Sequence, residues 1–379
     1  MGPYGSGGAG GGRKGGGLHA VNAPFRLENK TIVRLANLRE PDESRALEGF
    51  VARHAQGTVF QRPAWLAAVE RGTGQQALAL VQERGGRVEA YLPVSLIHSP
   101  IFGRVLASTG FAVGGGALVE DGVDAAPLFA AVEELALRHS APSVELRGGP
   151  LPEQREGWQI KTQSHCGFIL ALEPDDAAQL NAIPRKQRAE VRKALAGELT
   201  VRIGAGAQDR ADHYAIYAES VRNLGTPVFP RSLFEAVLDG FGEDADILTI
   251  LHYGQPVASV LSLYHRGAVM PYWGGGTWGA RALRANDRMY YELMRHARRR
   301  GCTHFDFGRS KTGSGAFDFK RNWGFTPEPL AYATWTAPGA PRRDADPTSS
   351  AHAGRIALWK KLPLPVANVL GPWIARGLG

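Results

Sequence analysis

The residues with the clearest chemical potential lie between Phe305 and Phe325, in the segment FDFGRSKTGSGAFDFKRNWGF. Aromatic residues alternate around Asp306, which predicts a strand that buries one face and turns the carboxylate to the other. A glycine-rich turn, GRSKTGSG, follows this strand and leads into a short helix or turn. Open backbone N–H groups and nearby cations bind negative charge, so the segment predicts an anion-binding active-site floor. The cations of the segment are Arg309, Lys311, Lys320 and Arg321.

Three side chains of this segment are candidates for catalysis. Asp306 could orient an amine or accept its proton. Lys320 stands among aromatic residues, which could exclude water and hold its ammonium group rigidly. Arg309, with Lys311 as a substrate contact, could clamp a phosphate or an oxyanion. The alternatives are that Asp306 pairs with Arg309 or caps the backbone, and that the cations are solvated surface groups.

The segment does not match the common catalytic or nucleotide-binding motifs. The chain has no Walker lysine motif and no G-x-S-x-G elbow. The K-T-G of penicillin-binding enzymes occurs at 311–313, but the S-x-x-K that should accompany it is missing. The two cysteines, Cys166 and Cys302, give no disulfide framework, and no histidine spacing predicts a metal.

Two further segments carry candidate substrate contacts. In PYWGGG the glycines would let a substrate approach the backbone, beside aromatic groups that offer a stacking surface and a hydroxyl. The segment feeds a helix for which Asn286 or Asp287 is the predicted N-cap. The basic helix IPRKQRAEVRKALAGE offers either a phosphate or tRNA contact or a solvated face. The predicted substrate contacts are Tyr272, Trp273, Gly275, Asn286, Arg185, Lys186 and Arg188.

These residues need a framework, and strands alternate with helices from Thr31 onward. Each half runs a strand into a triple glycine, then a helix, then a strand with an acid: Glu145 in SVELRGG and Asp306 in HFDFGRS. Two similar α/β domains, with mixed, mostly antiparallel sheets flanked by helices, are the simplest explanation. Only the second acid precedes the cation-rich turn, so we expect the chemistry in the second half.

The predicted organisation has four regions. A disordered glycine-rich leader spans 1–24, an N-terminal domain 25–174, a C-terminal domain with the main site 175–336, and a basic, tryptophan-containing arm 337–379. The end of the arm has the composition of a membrane-interface segment. Its prolines interrupt a long helix, so the alternative is an arm docked on the domains with its tryptophans buried.

The composition limits the partners. The 379 residues are 44% hydrophobic and carry a formal charge of +8, which suits an anionic small molecule, a saccharide precursor, tRNA or a membrane surface. DNA is not a predicted partner. No apolar run reaches the ~18 residues of a membrane span, and no signal-peptide core is present. We expect a cytoplasmic protein, with peripheral contact at the inner membrane through 351–379.

An ordered set of motifs resembles the FemAB-related proteins associated with exosortase/PEP-CTERM (XrtA) systems. The set is IPRKQRAEVRKAL, NLGTPVFP, VMPYWGGG, RANDRMYYELM, the segment from Phe305 to Phe325, and the terminal KLPLPVANVLGP. The resemblance implies two tandem GNAT-like acyltransferase domains that transfer an acyl or aminoacyl group to an amine of a cell-envelope or exopolysaccharide precursor. The family's F-K-x-x-F/W-G segment falls on Lys320, which would stabilise the acyl-transfer intermediate. Its basic helix falls on Arg185, Lys186 and Arg188.

The donor stays open between aminoacyl-tRNA and acyl-CoA, with no bound cofactor expected. GNAT acyltransferases cradle coenzyme A with an R/Q-x-x-G-x-G/A loop, whereas the corresponding loop here reads RALRAN. The missing glycines argue against coenzyme A. The alternatives are an acyl-CoA-dependent N-acyltransferase and a non-catalytic adaptor of a polysaccharide or protein-sorting complex.

Overall fold

The computed structural model describes residues 25–26, 31–153, 155–342 and 353–378. The predicted leader 1–24 and the segment 343–352 of the arm lie outside these residues. The described residues form two mixed sheets flanked by helices, which confirms the predicted α/β fold.

The first sheet contains ten of the described strands. They are β1 (Phe25–Arg26), β2 (Thr31–Leu35), β3 (Gln76–Arg84), β4 (Arg87–Ser99), β5 (Gly103–Ser108), β6 (Leu118–Val119), β7 (Ser143–Arg147), β8 (Trp158–Gly167), β15 (Ser310–Lys311) and β16 (Glu328–Thr336). Their order is β1-β2-β3-β4-β5-β7-β16-β8-β15, with β6 paired to β4. Strands β5 and β7 run parallel, and the other neighbours are antiparallel.

The second sheet contains six described strands in the order β10-β11-β12-β13-β14-β9. They are β9 (Ile169–Ala171), β10 (Leu199–Gly204), β11 (Ala245–His252), β12 (Gln255–His265), β13 (Ala268–Gly276) and β14 (His304–Asp306). Strands β13 and β14 run parallel, and the other neighbours are antiparallel.

Helices cover both sheets. They are α1 (Pro41–Arg53), α2 (Pro63–Thr73), α3 (Ala126–Arg138), α4 (Asp176–Ala182), α5 (Arg185–Ala196), α6 (Ala207–Leu224), α7 (Arg231–Phe241), α8 (Ala285–Arg299), α9 (Gly315–Asn322), α10 (Ala353–Lys361) and α11 (Leu364–Ala375). Helix α9 begins at the Ser314 N-cap, whose side chain accepts a hydrogen bond from the Phe317 N–H at 3.2 Å.

The two halves repeat one another, as the sequence predicted. In the first half an antiparallel meander ends in β5, helix α3 follows, and β7 returns parallel to β5. In the second half β13 ends the meander, α8 follows, and β14 returns parallel to β13. Glu145 lies on β7 and Asp306 on β14, so the two acids occupy corresponding strands. The triple glycines differ, because 274–276 end strand β13 whereas 114–116 lie in a loop beyond β5.

The sheets also exchange strands. Only Phe168 separates the end of β8 from the start of β9, yet the two strands lie in different sheets. Later in the chain, β15 and β16 return to the first sheet, where β16 lies between β7 and β8. The predicted division between residues 174 and 175 therefore does not separate the two sheets.

Helices α2 and α7 join the halves. A Cβ atom on Gly72 would lie 2.5 Å from the Leu233 Cα, so a glycine permits the close approach of these helices. Around this contact, one hydrophobic core collects side chains from both halves, including Trp65, Phe234 and Trp273. Burying large aromatic groups on one another ties the two sheets into one unit.

The C-terminal arm docks on both halves. Helices α10 and α11 pack against α6 of the second half. In the first half, the Gln75 side-chain amide donates to the Arg376 carbonyl at 2.7 Å. The arm is thus docked as the alternative predicted, but Trp373 is 50% exposed and Trp359 is half-buried, so its tryptophans are not fully buried. Among the described residues, no helix is long and apolar enough to cross a membrane.

Candidate active site

A wedge opens between two parallel strands. Strands β13 and β14 pair only at Ala268–His304 and Val269–Phe305. Strand β13 then continues to Gly276, whereas β14 ends at Asp306. The strands therefore part beside Asp306, and β13 turns an edge with backbone N–H and C=O groups toward the opening.

Asp306 lies at the point of the wedge. Its Oδ1 accepts a hydrogen bond from the Gly308 N–H at 2.8 Å, so the carboxylate caps the following turn. Burial raises the pKa of Asp306 to about 6, although the Gly308 hydrogen bond and the Lys320 charge act in the opposite direction. A carboxylate with a pKa near neutrality can both accept and return a proton at physiological pH.

Lys320 holds the turn at residues 308–309 through hydrogen bonds. It is 8% exposed, and its Nζ donates to the carbonyls of Gly308 at 3.3 Å and Arg309 at 2.9 Å. The ammonium also lies over the rings of Phe168 and Phe307, at 5.2 and 5.4 Å from their centroids. Burial lowers the pKa of Lys320 to about 8. Lys320 is therefore a rigidly held, partly desolvated cation, and the alternative of a solvated surface lysine was wrong.

Two arginines from different halves face the same region. Arg309 donates to the Tyr332 hydroxyl at 3.3 Å and lies 5.7 Å from the centre of that ring. Arg147, from β7, donates to the Ala112 carbonyl at 2.8 Å and pairs with Glu145 at 3.2 Å. Burial lowers the pKa of Arg147, and the positive charge of Arg309 lowers it further. Two neighbouring guanidinium groups favour an anion between the halves.

Tyr272 lies on strand β13, near the two arginines. A register shift in the pairing of β12 with β13 leaves Tyr272 as a bulged residue. Its hydroxyl donates to the Phe111 carbonyl in the loop that also contacts Arg147. Burial raises the pKa of Tyr272, while Arg309 and Arg147 oppose that shift. Tyr272 therefore lies near Arg309 and Arg147, and Lys320 contacts the turn that joins Arg309 to Asp306. These residues form the candidate site.

Two predicted substrate contacts have structural roles instead. Trp273 is 3% exposed and stacks on Trp65 within the core shared by the halves, which leaves no face for a substrate. A Cβ on Gly275 would lie 2.3 Å from the Ser220 Oγ on α6. Gly275 therefore allows helix α6 to pack on the strand, and the space beside it is filled by this helix.

Asn286 and the basic helix form a second surface, at the far end of β13. A Cβ on Gly276 would lie 2.8 Å from the Asn286 Oδ1, and that buried oxygen has no hydrogen-bond partner among the described residues. Helix α8 begins at Ala285 with Arg284 as N-cap, so the predicted cap at Asn286 or Asp287 was wrong. Asp287 instead accepts from the Gln187 amide of α5 at 2.5 Å.

The basic helix leaves its first cations toward solvent. Arg185 and Lys186 are exposed, and Arg188 donates to the Asn181 carbonyl at 2.6 Å. Pro184, just before α5, lies next to Gly324 after α9, since a Cβ there would be 3.2 Å from the proline ring. Lys311 lies on β15, whose backbone pairs with β8 at His165.

Sequence reasoning missed Arg147 and Tyr332. The first-half segment SVELRGG appeared to lack the cations of its counterpart, yet its arginine contacts the loop that Tyr332, the partner of Arg309, also contacts. The signal was an arginine at the end of the strand that matches β14. No sequence pattern pointed to Tyr332, because β16 lies beside β7 and the loop at Val113 only through the exchange of strands between the sheets. No group of His, Cys, Asp or Glu in the part of the chain described here could hold a metal ion.

Lys320 is expected to make folding stability depend on pH. Its pKa of about 8 in the folded protein lies below the ordinary value of 10.5, so between these values only the unfolded chain keeps the proton. Stability should therefore rise with pH across this interval, by about 3 kcal/mol at most. Urea unfolding at several pH values measures the effect.

Lys320→Met should remove this rise, whereas Lys186→Met, at an exposed lysine, should retain it. Parallel stability curves for the wild type and Lys320→Met would show that Lys320 keeps an ordinary pKa.

The second half of the chain matches a known domain. The profile of the acetyltransferase (GNAT) domain matches residues 184–321, a range that includes Asp306, Arg309 and Lys320. None of the curated proteins matches the chain.

Solved structures with a similar fold cover most of the chain. FemX shares 16% identity, with 76% of this chain and 95% of that chain covered and a TM-score of 0.60. A tandem GNAT protein from the clavulanic acid biosynthesis pathway shares 12% identity over 82% of this chain and all of its own length, with a TM-score of 0.54. L-PGS from Bacillus licheniformis shares 13% identity over 90% and 97% of the two chains, with a TM-score of 0.50. The chain has the tandem GNAT fold that its motifs implied.

Proposed function

We propose that the protein is an acyl- or aminoacyltransferase that forms an amide on an amine of a cell-envelope precursor. The parting of β13 and β14 beside Asp306 carries this proposal. It provides an open strand edge and a carboxylate with a raised pKa, and the buried Lys320 ammonium group donates to the turn that follows this carboxylate. These groups lie within the part of the chain that matches the GNAT domain.

In the proposed reaction, the acceptor amine attacks the carbonyl carbon of an ester or thioester donor. A C–N bond forms, and the C–O or C–S bond to the donor breaks. Asp306 accepts the proton of the attacking amine and returns it to the departing oxygen or sulfur. Lys320 fixes the turn through two carbonyls, and its third N–H and its charge stabilise the oxyanion.

The acceptor carries negative charge in this proposal. Arg147 donates to the Ala112 carbonyl, and Arg309 donates to the Tyr332 hydroxyl, which itself donates to the neighbouring Val113 carbonyl. A phosphate or carboxylate bound between these two cations would be attracted to both. Tyr272 borders this position, and Lys311 adds a cation in the strand beyond the turn. The proposed acceptor is an anionic saccharide precursor of the exopolysaccharide type in an exosortase-linked system. Its negative charge suits these cations, and it agrees with the resemblance of the motifs.

Aminoacyl-tRNA is the proposed donor. The first turn of α8, where a pyrophosphate would bind, holds the Asp287 carboxylate, and Glu190 pairs with Arg284 beside it. Negative groups at this position disfavour coenzyme A. The exposed Arg185 and Lys186 lie on the same helix as Glu190 and offer phosphate contacts. This donor places the protein in the cytoplasm.

Thermal shift assays with two probes test the donor. Aminoacylated tRNA should raise the melting temperature, whereas coenzyme A should leave it unchanged, because a ligand that binds only the folded chain stabilises it. Incubation of the protein with tRNA charged with a labelled amino acid and an envelope-precursor extract should then yield label that resists ester hydrolysis.

Arg309→Ala tests the site, and Arg299→Ala is its matched control. Arg299 is an exposed arginine at the end of α8 and should keep full transfer, whereas loss of Arg309 should lower it. A shift by coenzyme A and labelling from acyl-CoA would establish the acyl-CoA-dependent alternative. Absence of transfer from both donors would favour the non-catalytic adaptor.

A further inference from the structure

Helix α11 turns an apolar stripe toward solvent. The stripe occupies positions i, i+3, i+4 and i+7, which share one helix face. It consists of Val366, Val369, Leu370 and Trp373, which are 42%, 75%, 44% and 50% exposed. Small residues, Ala367, Gly371 and Ala375, form the opposite face and are buried. The larger apolar side chains of this helix therefore point away from the protein.

The docking of α11 fixes this orientation. A Cβ on Gly371 would lie 3.0 Å from the Val228 backbone nitrogen, and one on Gly377 would lie 2.5 Å from the Ser99 Oγ. The Arg376 carbonyl accepts from Gln75 at 2.7 Å. A helix rotated to bury its stripe would bring bulky side chains to positions where only small ones fit.

Cations precede and follow the stripe along the chain. Lys360 and Lys361 at the end of α10 and Arg376 after α11 are exposed, and residues 353–378 contain no acidic residue. Leu358 on α10 is 66% exposed and adds another apolar side chain to the surface of the arm. Apolar groups with a tryptophan and flanking cations match the chemistry of an anionic lipid surface.

We propose that this face, the stripe of α11 with Leu358, Lys360, Lys361 and Arg376, docks the protein on an anionic membrane. A second copy of the chain is a poorer occupant, because a two-fold interface joins the same patch of both copies, and residues 353–378 supply cations but no acid to pair with them. The proposal stands independently of the transferase function. It would hold the loop after β13 near the lipid, since Trp278 in that loop borders the same surface depression as Lys360 and is 71% exposed.

Sedimentation of the full chain with lipid vesicles tests the proposal. The protein should bind vesicles that contain phosphatidylglycerol and stay in solution with vesicles of phosphatidylcholine alone. Val369→Asp should weaken binding about tenfold or more, because it places a charge on the apolar face that would enter the lipid. The double variant Lys360→Gln, Lys361→Gln should weaken binding by a similar factor, since each cation adds to the attraction of the anionic surface.

Leu137→Asp is the matched control. Leu137 is a 55% exposed leucine on α3 of the first half, so its substitution should leave vesicle binding unchanged. Equal melting temperatures of Val369→Asp and the wild type would show that the variant is folded. Unchanged vesicle binding by Val369→Asp would overturn the proposal. A dimer in gel filtration that Val369→Asp dissociates, without vesicle binding by the wild type, would assign the stripe to self-association.

Discussion

Asp306→Asn is expected to lower kcat/KM for the proposed transfer by about 100-fold or more, while the protein stays at least as stable as the wild type at pH 7. General-base catalysis contributes about 10²–10⁴-fold, and an amide cannot accept the proton. The side-chain oxygen of asparagine can still accept the hydrogen bond from the Gly308 N–H. Burial disfavours the charged carboxylate, so removing the charge should not weaken the fold. Initial rates and urea unfolding of the same preparation give both quantities.

The pH dependence of kcat/KM of the wild type should report the ionisation of Asp306 and Lys320. Asp306 must be ionised and Lys320 protonated, so kcat/KM should rise through a pKa of about 6 and fall through a pKa of about 8. The acidic limb should be missing from the residual activity of Asp306→Asn. A loss of activity that follows a loss of stability would instead assign Asp306 a structural role in capping the turn.

Trp65→Ala is expected to cost about 3–5 kcal/mol of unfolding free energy, the range for deleting a fully buried large aromatic side chain. Trp65 has no exposed surface, and its indole N–H donates to the Gly110 carbonyl at 3.1 Å. Its ring also stacks on Trp273 of the other half, with centroids 6.1 Å apart. Because this core belongs to both halves, urea should unfold them in one transition, and the variant should shift the whole transition.

Trp278→Ala provides the matched control for Trp65. Trp278 is 71% exposed, so its truncation should change the unfolding free energy by no more than about 0.5 kcal/mol. Two separate transitions in the wild type, with Trp65→Ala moving one of them, would show that the halves fold independently.

Local patterns predicted most elements of this fold, because periodicity and turn residues act over short distances. The strand around Asp306, the basic helix and a three-stranded meander all occur. Of the two turns that the sequence predicts in this meander, the one at 266–267 is confirmed, whereas the one predicted at 254–255 lies one residue earlier. The start of α8 was misplaced, because Arg284 adopts a left-handed conformation, with φ of 56°, that no capping side chain signals. The strand exchange was missed, since the single residue Phe168 separates β8 from β9 and no local pattern marks a change of sheet.

The candidate site was predicted in part. The sequence motif around Asp306, Arg309 and Lys320 is contiguous, so its chemistry could be read along the chain. The contribution of Arg147 depends on contact between residues far apart in the sequence, and composition gives no information about such contacts. Trp273 was misassigned for the same reason, because its aromatic character suits a ligand surface and a core equally well.

The exchange of strands also sets the order in which the chain can fold during synthesis. Strand β16 lies between β7 and β8, so the first sheet keeps a gap until residue 336 has left the ribosome. The facing edges of β7 and β8 meanwhile remain open to wrong partners, which favours aggregation. Nascent chains that end before β16 are therefore expected to depend on chaperones. Strand β16 completes the first sheet and brings Tyr332 to Arg309.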